Sequence, residues 1–265
     1  MPYFDTPDGN RQFYKDLGEG PPVVLVHAWS LSSAMWEYQL PVLLGAGYRC
    51  VAMDRRGHGR SDQPATGYDL DTLADDLAAL LDRLDLRDVR LVAHSMGTCE
   101  ITRYLARHGS GRVSRAVYLG AMTPGLSAAV GPGPVEETLA ALHADRPGWF
   151  REAAPAYFAA PGSGVSQALV DDGVTTILTT PLEVQTACLR TTFGTDLTAD
   201  LAAVDVPALV VHGDADASAP IELTGRPTAK LLPDARFVLY PGAPHGLYVT
   251  ERERLARDLL GFLAG

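Results

Sequence analysis

The chain of 265 residues has little cysteine. Cys50, Cys99 and Cys188 are an odd number, widely spaced and without a C-x-x-C pair, so neither a disulfide framework nor a cysteine-based metal site is expected. A reducing compartment fits this usage. No apolar run approaches the ~18 residues of a membrane-crossing helix. The first twenty residues, MPYFDTPDGNRQFYKDLGEG, are polar and turn-rich and lack the apolar segment of an export signal. The expectation is a cytoplasmic protein that does not engage a membrane. Positive charge is also scarce. The 22 Lys+Arg stand against 32 Asp+Glu, a net charge of -10 with no basic block, which argues against nucleic acid as a partner. Strict G-x-S-x-G is absent as well.

What is present suits one α/β domain with a sizeable core, since hydrophobic residues make up 46% of the chain. TPDGN (Thr6 to Asn10) reads as a hairpin turn followed by a strand over Arg11–Leu17. Short apolar runs then recur as VVLV from Val23, RCVAM from Arg49, VRLVA from Val89, RAVYLG from Arg115, PALVVHG from Pro207 and RFVLY from Arg236. Most are continuous rather than alternating, as parallel strands covered on both faces require. Helical periodicity separates them over residues 69–84, 96–107 and 252–263. The alternation predicts a doubly wound, mostly parallel sheet. From about Thr123 to Thr198 the rhythm breaks. Pro- and Gly-rich stretches (PGLSAAVGPGP, then AAPGSG) punctuate helical patterns near 135–144, 149–159, 165–179 and 182–192. This predicts a core of residues 1–124 and 199–265 with an inserted helical cap over 125–198.

A serine hydroxyl needs a base, a group to orient that base, and donors aimed at a developing oxyanion. AHSMG (Ala93 to Gly97) stands between a strand and a helix, the context that gives a relaxed nucleophile elbow its meaning, although Ser95 could equally cap the helix. The acid belongs on a loop after a later strand. VVHGDAD offers Asp216, with Asp214 in reserve, and a solvated turn is the alternative for either. GAPHGL places His245 in a constrained loop before the last helix, in competition with His27, His94 and His212. The order Ser95, Asp216, His245 is that of the α/β-hydrolase arrangement. The backbone N–H groups of Trp29, after the strand PPVVLV, and of Met96 fall at the oxyanion positions, and Trp29 also reads as a pocket wall or a core aromatic. Asp54 in DRRGHGRSD reads as a hydrogen-bonded turn rather than a nucleophile. Trp149, Tyr157 and Phe158 read either as core or as pocket lining.

DRRGHGRSDQPATGYDLDTLADDLAALLDRLDL, AHSMGTCEITRYLARHGSGRVSRAVYLGAMTP and VPALVVHGDAD…GAPHGL together resemble the α/β-hydrolase group of bacterial aryl esterases and cofactor-free haloperoxidases. The likeness is close across the sheet and weakest over the cap. It implies an α/β-hydrolase fold, a Ser95–Asp216–His245 triad, oxyanion donors at Trp29 and Met96, and substrate contacts at Trp29 and Ser30. The implied chemistry is hydrolysis of a small acyl substrate, with transfer of the acyl group to hydrogen peroxide as an alternative. No cofactor and no metal are implied. Lactone or lactam cleavage is a further alternative, and outside enzymes a ligand-binding protein on this fold. A homo-oligomer is compatible with the sequence. Three departures bear on the site. Ala28 stands where glycine is usual before the oxyanion residue, Ala93 stands where the elbow usually begins with glycine, and Ser30 stands where haloperoxidase-type members have proline. Ser30 keeps an N–H and is expected to leave the backbone freer, which argues against efficient perhydrolysis.

Overall fold

The continuous apolar runs become strands with two buried faces. The computed structural model describes residues 2–158 and 163–265. Its strands are β1 (Tyr3–Asp5), β2 (Arg11–Leu17), β3 (Pro22–Val26), β4 (Arg49–Met53), β5 (Val89–His94), β6 (Val113–Leu119), β7 (Ala208–Gly213) and β8 (Ala235–Tyr240). They form one eight-stranded sheet in the order β1-β2-β4-β3-β5-β6-β7-β8. The expected hairpin pairs β1 with β2, and β2 lies antiparallel to β4. Every other pairing, from β4 through β8, is parallel.

Alternate residues of each strand serve opposite layers. Val24, Val26, Val51, Met53, Leu91 and Ala93 face helices α2 (Leu70–Arg83) and α3 (Met96–His108). Val23, Leu25, Cys50, Ala52 and Val92 face α1 (Leu40–Gly45) and the final helix, Arg252–Leu263. A strand buried on both sides has no polar face, which is why these runs are unbroken.

Between β6 and β7 the described residues contain helices and no strand. They are α4 (Ser127–Val130), α5 (Gly133–Phe158), α6 (Gln167–Leu178), α7 (Leu182–Gly194) and α8 (Thr198–Ala202). Asp145 breaks α5 with φ -153° and ψ 80°, leaving two helices where two were expected. Its Oδ1 accepts from the Gly148 N–H at 2.9 Å, so it caps the second half, and Pro147 sits in that half's first turn. The expected end of this helix at Ala159 and part of the AAPGSG stretch lie outside the described residues. The short helices α1, α4, α8, α9 (Gly225–Leu231) and α10 (Leu247–Thr250) carry too little periodicity to be read from the sequence; α11 (Arg252–Leu263) is the expected last one.

Two features position the site. β3 lies between β4 and β5, and the chain leaves the carboxyl ends of β3 and β5 toward opposite sides. A crevice opens at such a switch point. Beside the sheet, Arg56 ties the N-terminal hairpin turn to α2. Its guanidinium donates to Asp76 Oδ2 at 2.6 Å and Oδ1 at 2.7 Å on α2, and to Asp8 in the hairpin turn at 2.8 Å. Among the described residues no helix is long and apolar enough to cross a membrane.

Replacing Asp76 with Ala leaves the buried Arg56 charge half-paired. The expected loss is about 3 kcal/mol or more, read as a lower midpoint in urea unfolding with an unchanged slope.

Candidate active site

Ser95 joins β5 to α3 with φ 55° and ψ -122°, a left-handed conformation that a side chain rarely adopts. Its side chain makes no capping hydrogen bond to α3, so the simple helix-cap reading does not describe it. Its carbonyl accepts from Thr98 Oγ1 at 2.6 Å, and its N–H donates to Leu119 at 2.9 Å. The turn is held from both sides while the hydroxyl faces a cavity. A small residue is needed two positions later for a specific reason. A Cβ on Gly97 would lie 2.6 Å from the Val26 carbonyl oxygen and 3.0 Å from that of His27. The close approach is therefore to the neighbouring strand β3.

His245 and Asp216 meet on the other side of the same crevice. His245 Nδ1 lies 2.6 Å from Asp216 Oδ2, and both side chains are almost fully buried. The other oxygen, Asp216 Oδ1, accepts from the N–H groups of Ser218 at 3.0 Å and Ala219 at 2.7 Å. Burial raises the Asp216 pKa, but the facing His245, with hydrogen bonds from His212 and His245, outweighs it and holds the carboxyl well below its ordinary value. Asp214, the reserve, is exposed and accepts from the Gly242 N–H at 2.6 Å as a turn residue. The solvated-turn alternative thus describes Asp214 and not Asp216.

The competing histidines have other partners. His212 lies 3.3 Å from Asp216 Oδ2 and bonds the Ala219 carbonyl at 2.8 Å, so it braces the carboxylate from behind. His94 Nε2 donates to the His245 carbonyl at 2.9 Å, anchoring that loop to the elbow. His27 sits at the end of β3, where its Nδ1 donates to the Ala28 carbonyl at 2.7 Å and its Nε2 accepts from the Arg55 N–H at 2.9 Å.

The His27 Nδ1 bond to the Ala28 carbonyl matters through the geometry of one peptide unit. In a trans peptide the C=O and N–H point in opposite directions, so whatever fixes the Ala28 carbonyl aims the Trp29 N–H. The carbonyl is held by His27 Nδ1 and by the Leu31 N–H at 3.4 Å, with Arg55 Nη1 at 3.5 Å. Arg55 is locked in turn by Glu100 at 2.7 Å, a fully buried pair, and donates to the His27 carbonyl at 2.8 Å. Burial pushes the Glu100 pKa up while Arg55 opposes the rise. Among the described residues, the N–H groups of Trp29 and of Met96 donate to no protein group.

The three departures noted in the sequence resolve differently. Ala28 avoids the left-handed region, so its methyl adds no backbone strain. Ala93 is fully buried in β5 beneath the elbow. Ser30, expected to be freer than proline and to touch substrate, is held at its backbone and stands off the cavity wall. It has φ 62°, which proline cannot adopt, its N–H donates to His58 Nε2 at 3.3 Å, and it is buried outside the cavity wall. Asp54 is the turn residue expected, accepting from Ser33 at 2.7 Å and Arg60 at 2.9 Å. Sequence reasoning missed Arg55, His58 and Glu100. The available signal was a charged run, DRRGHGR, directly after the apolar run CVAM, which is buried throughout.

Ser95 and His245 open onto a cavity of about 460 Å³. Trp29, Met122, Phe150, Leu189 and Leu223 contribute to its wall, and among the described lining residues there is no Asp, Glu, Lys or Arg. Trp149, Tyr157 and Phe158 all reach this wall. The Tyr157 ring meets the His245 ring edge-on at 5.1 Å, and its carbonyl accepts from the Gly246 N–H at 2.6 Å.

Residues 21–173 match the family model described as alpha/beta hydrolase fold. The chain is 43% identical to a non-heme chloroperoxidase of Kitasatospora aureofaciens, over 99% of each chain. It is 35% identical to a bifunctional esterase/perhydrolase of Acinetobacter calcoaceticus, again over 99% of each. The crystal structure of a bromoperoxidase from Bacillus anthracis superposes with a TM-score of 0.94 at 34% identity, covering 99% of this chain and 100% of that one.

Two outcomes follow from this geometry. Gly97→Ala must push α3 away from β3, so activity should fall at least tenfold, with a lower melting temperature by calorimetry. The second concerns pH. Burial, aided by the Arg55 charge, holds His27 well below its ordinary value and His58 at about 3, while burial and His245 hold His94 at about 3. Below pH ~6.5 the unfolded chain therefore binds protons that the folded chain refuses. Stability should fall as pH drops from about 6.5 toward 3, by up to roughly 1.4 kcal/mol per unit for each histidine. Urea unfolding at about pH 7 and about pH 5 measures it, and His94→Gln should remove one proton's worth of slope.

Proposed function

The chain belongs to the alpha/beta hydrolase fold family, and on that premise we propose that it is a serine hydrolase cleaving carboxylic esters of small substrates through an acyl-enzyme. The observation that carries this reading is the buried 2.6 Å contact between His245 Nδ1 and Asp216, in a cavity that Ser95 also lines. With Nδ1 committed to the carboxylate, Nε2 is the nitrogen free to act as base.

In the proposed reaction His245 Nε2 takes the Ser95 proton as Oγ attacks the ester carbonyl. The Trp29 and Met96 N–H groups stabilise the oxyanion, and the positive end of α3 adds to them. The tetrahedral intermediate expels the alcohol, which takes the proton from His245. Water, activated by the same imidazole, then releases the acid. Asp216 keeps the ring in one tautomer and stabilises its charged form. Residues 125–198 act as a cap that supplies much of the apolar wall. The substrate is a small molecule rather than nucleic acid, and the three buried free cysteines suit a cytoplasmic setting.

A second reading has its own support, since the relatives include proteins named as perhydrolase and non-heme chloroperoxidase. Hydrogen peroxide in place of water would attack the same acyl-enzyme and leave as a peracid, restoring Ser95. Ser30 does not weigh against this as expected from the sequence, because its backbone is fixed by hydrogen bonds rather than loose.

Ser95→Ala should lower kcat for phenyl acetate by roughly 10⁴-fold or more and abolish fluorophosphonate labelling. Retained turnover would exclude the serine mechanism. With acetate and peroxide supplied, peracid formation that is lost in the same variant would establish the second acceptor.

A further inference from the structure

The loop that carries the Trp29 N–H is tied to the cap as well as to the sheet. Ser30 is a non-glycine residue at φ 62° with its backbone buried. Such a conformation persists where the surroundings fix it from several sides. On the core side its N–H donates to His58. On the cap side its carbonyl accepts from Thr180 Oγ1 at 3.1 Å, and Thr180 is 1% exposed in the link between α6 and α7. The preceding residue is tied to the same place, because the Trp29 indole N–H donates to the Gln185 carbonyl on α7 at 2.9 Å. Arg146 secures this corner by donating to the Thr180 carbonyl at 2.7 Å and to Gln185 Oε1 at 3.3 Å.

These bonds act on one short piece of backbone. The Ala28 carbonyl, held by His27, aims the Trp29 N–H from one end. Rotation about the Trp29 backbone is stopped from the other end only if the Ser30 peptides are fixed. His58 fixes the first of these; the second is held at its N–H end by the Leu31 bond to the Ala28 carbonyl and at its carbonyl end by Thr180. Neither Thr180 nor Ser30 lines the cavity, so any influence on the reaction passes through backbone geometry.

We propose that Thr180 is a positioning residue, whose hydroxyl holds the Ser30 carbonyl so that the Trp29 N–H points where the oxyanion forms. This rests on the serine-hydrolase reading and adds that the cap takes part in the chemistry as well as in substrate contact. A donor acting in the transition state gives its effect in kcat, and small displacements of such a donor are costly. The ground-state ester carbonyl depends on it less.

Thr180→Val removes the hydroxyl at nearly constant volume, and Thr180→Ser restores it. For Thr180→Val, kcat with a short phenyl ester should fall about 10-fold to 100-fold while KM stays within about threefold. Affinity for phenylboronic acid, which forms a tetrahedral adduct on the serine, should weaken in step with kcat. Thr180→Ser should lie close to the parent enzyme in all three. Where Thr180→Val does not fold by near-ultraviolet circular dichroism, Thr180→Ala removes the same hydroxyl without added bulk and carries the same expectation. A hydroxyl-free variant with kcat within about twofold of the parent would overturn the proposal. So would a loss shared by kcat and KM that Thr180→Ser fails to rescue, the mark of packing alone. Ser95→Ala, assayed beside them, separates the two levels. Activity surviving in that variant defeats the hydrolase reading, whereas Ser95-dependent activity indifferent to Thr180 defeats only the positioning role.

Discussion

The close approach of α3 to β3 governs the rest of the site. Gly97 lies so near the Val26 and His27 carbonyls that no side chain fits between them. This contact sets the N-terminus of α3 beside the loop leaving β3, at the point where the sheet's connections diverge. Two N–H groups that find no protein partner among the described residues, one from each element, then share one crevice with the strained serine. Neither strand nor helix alone would create that arrangement. It comes from the register of β3 against β5, where Val26, the last residue of β3, lies opposite Ala93, two residues before Ser95.

Around this contact the molecule places charge where it does not meet the cavity. Arg55 with Glu100, and Arg56 with Asp76, are buried ion pairs that do not line the cavity. Each is costly to desolvate, and although both guanidinium groups are extensively hydrogen-bonded, Glu100 Oε1 has no partner among the described residues, so neither pair is by itself a source of stability. Their role here is geometric. Arg55 reaches the His27 and Ala28 carbonyls, so an ion pair away from the cavity wall helps to set the direction of the Trp29 N–H, whose residue lines it. The cavity itself keeps a mostly apolar lining around the His245 imidazole and the Ser95 hydroxyl.

Much of this was legible in the sequence, and the limit is physical. Parallel strands buried on both faces announce themselves as unbroken apolar runs, so all six runs after Arg11–Leu17 correspond to strands β3 to β8. Long amphipathic helices such as α2 and α11 carry several turns of periodicity and could be placed to within a residue or two. Helices of one or two turns, such as α1 with its Pro41 or α9 with its Pro227, repeat too few times to signal themselves. At the site, chain order and loop composition pointed to Ser95, Asp216 and His245. The supporting contacts did not show, because Arg55 finds Glu100 across 45 residues and Thr180 finds Ser30 across 150. Such pairings depend on where loops pack. Ser30 illustrates the difference: its residue type suggested looseness, and only its two partners reveal that it is held.

The thiols carry one more consequence. Cys50, Cys99 and Cys188 are fully buried, and burial pushes each of them up to about 12. A sulfur both hidden and protonated offers no thiolate to alkylating or oxidising reagents at neutral pH. Each therefore reports the opening of the part of the interior packed around it, Cys50 against the sheet and Cys99 and Cys188 in a second cluster. The rate at which a thiol reagent consumes them is an inbuilt clock for unfolding that needs no engineered probe.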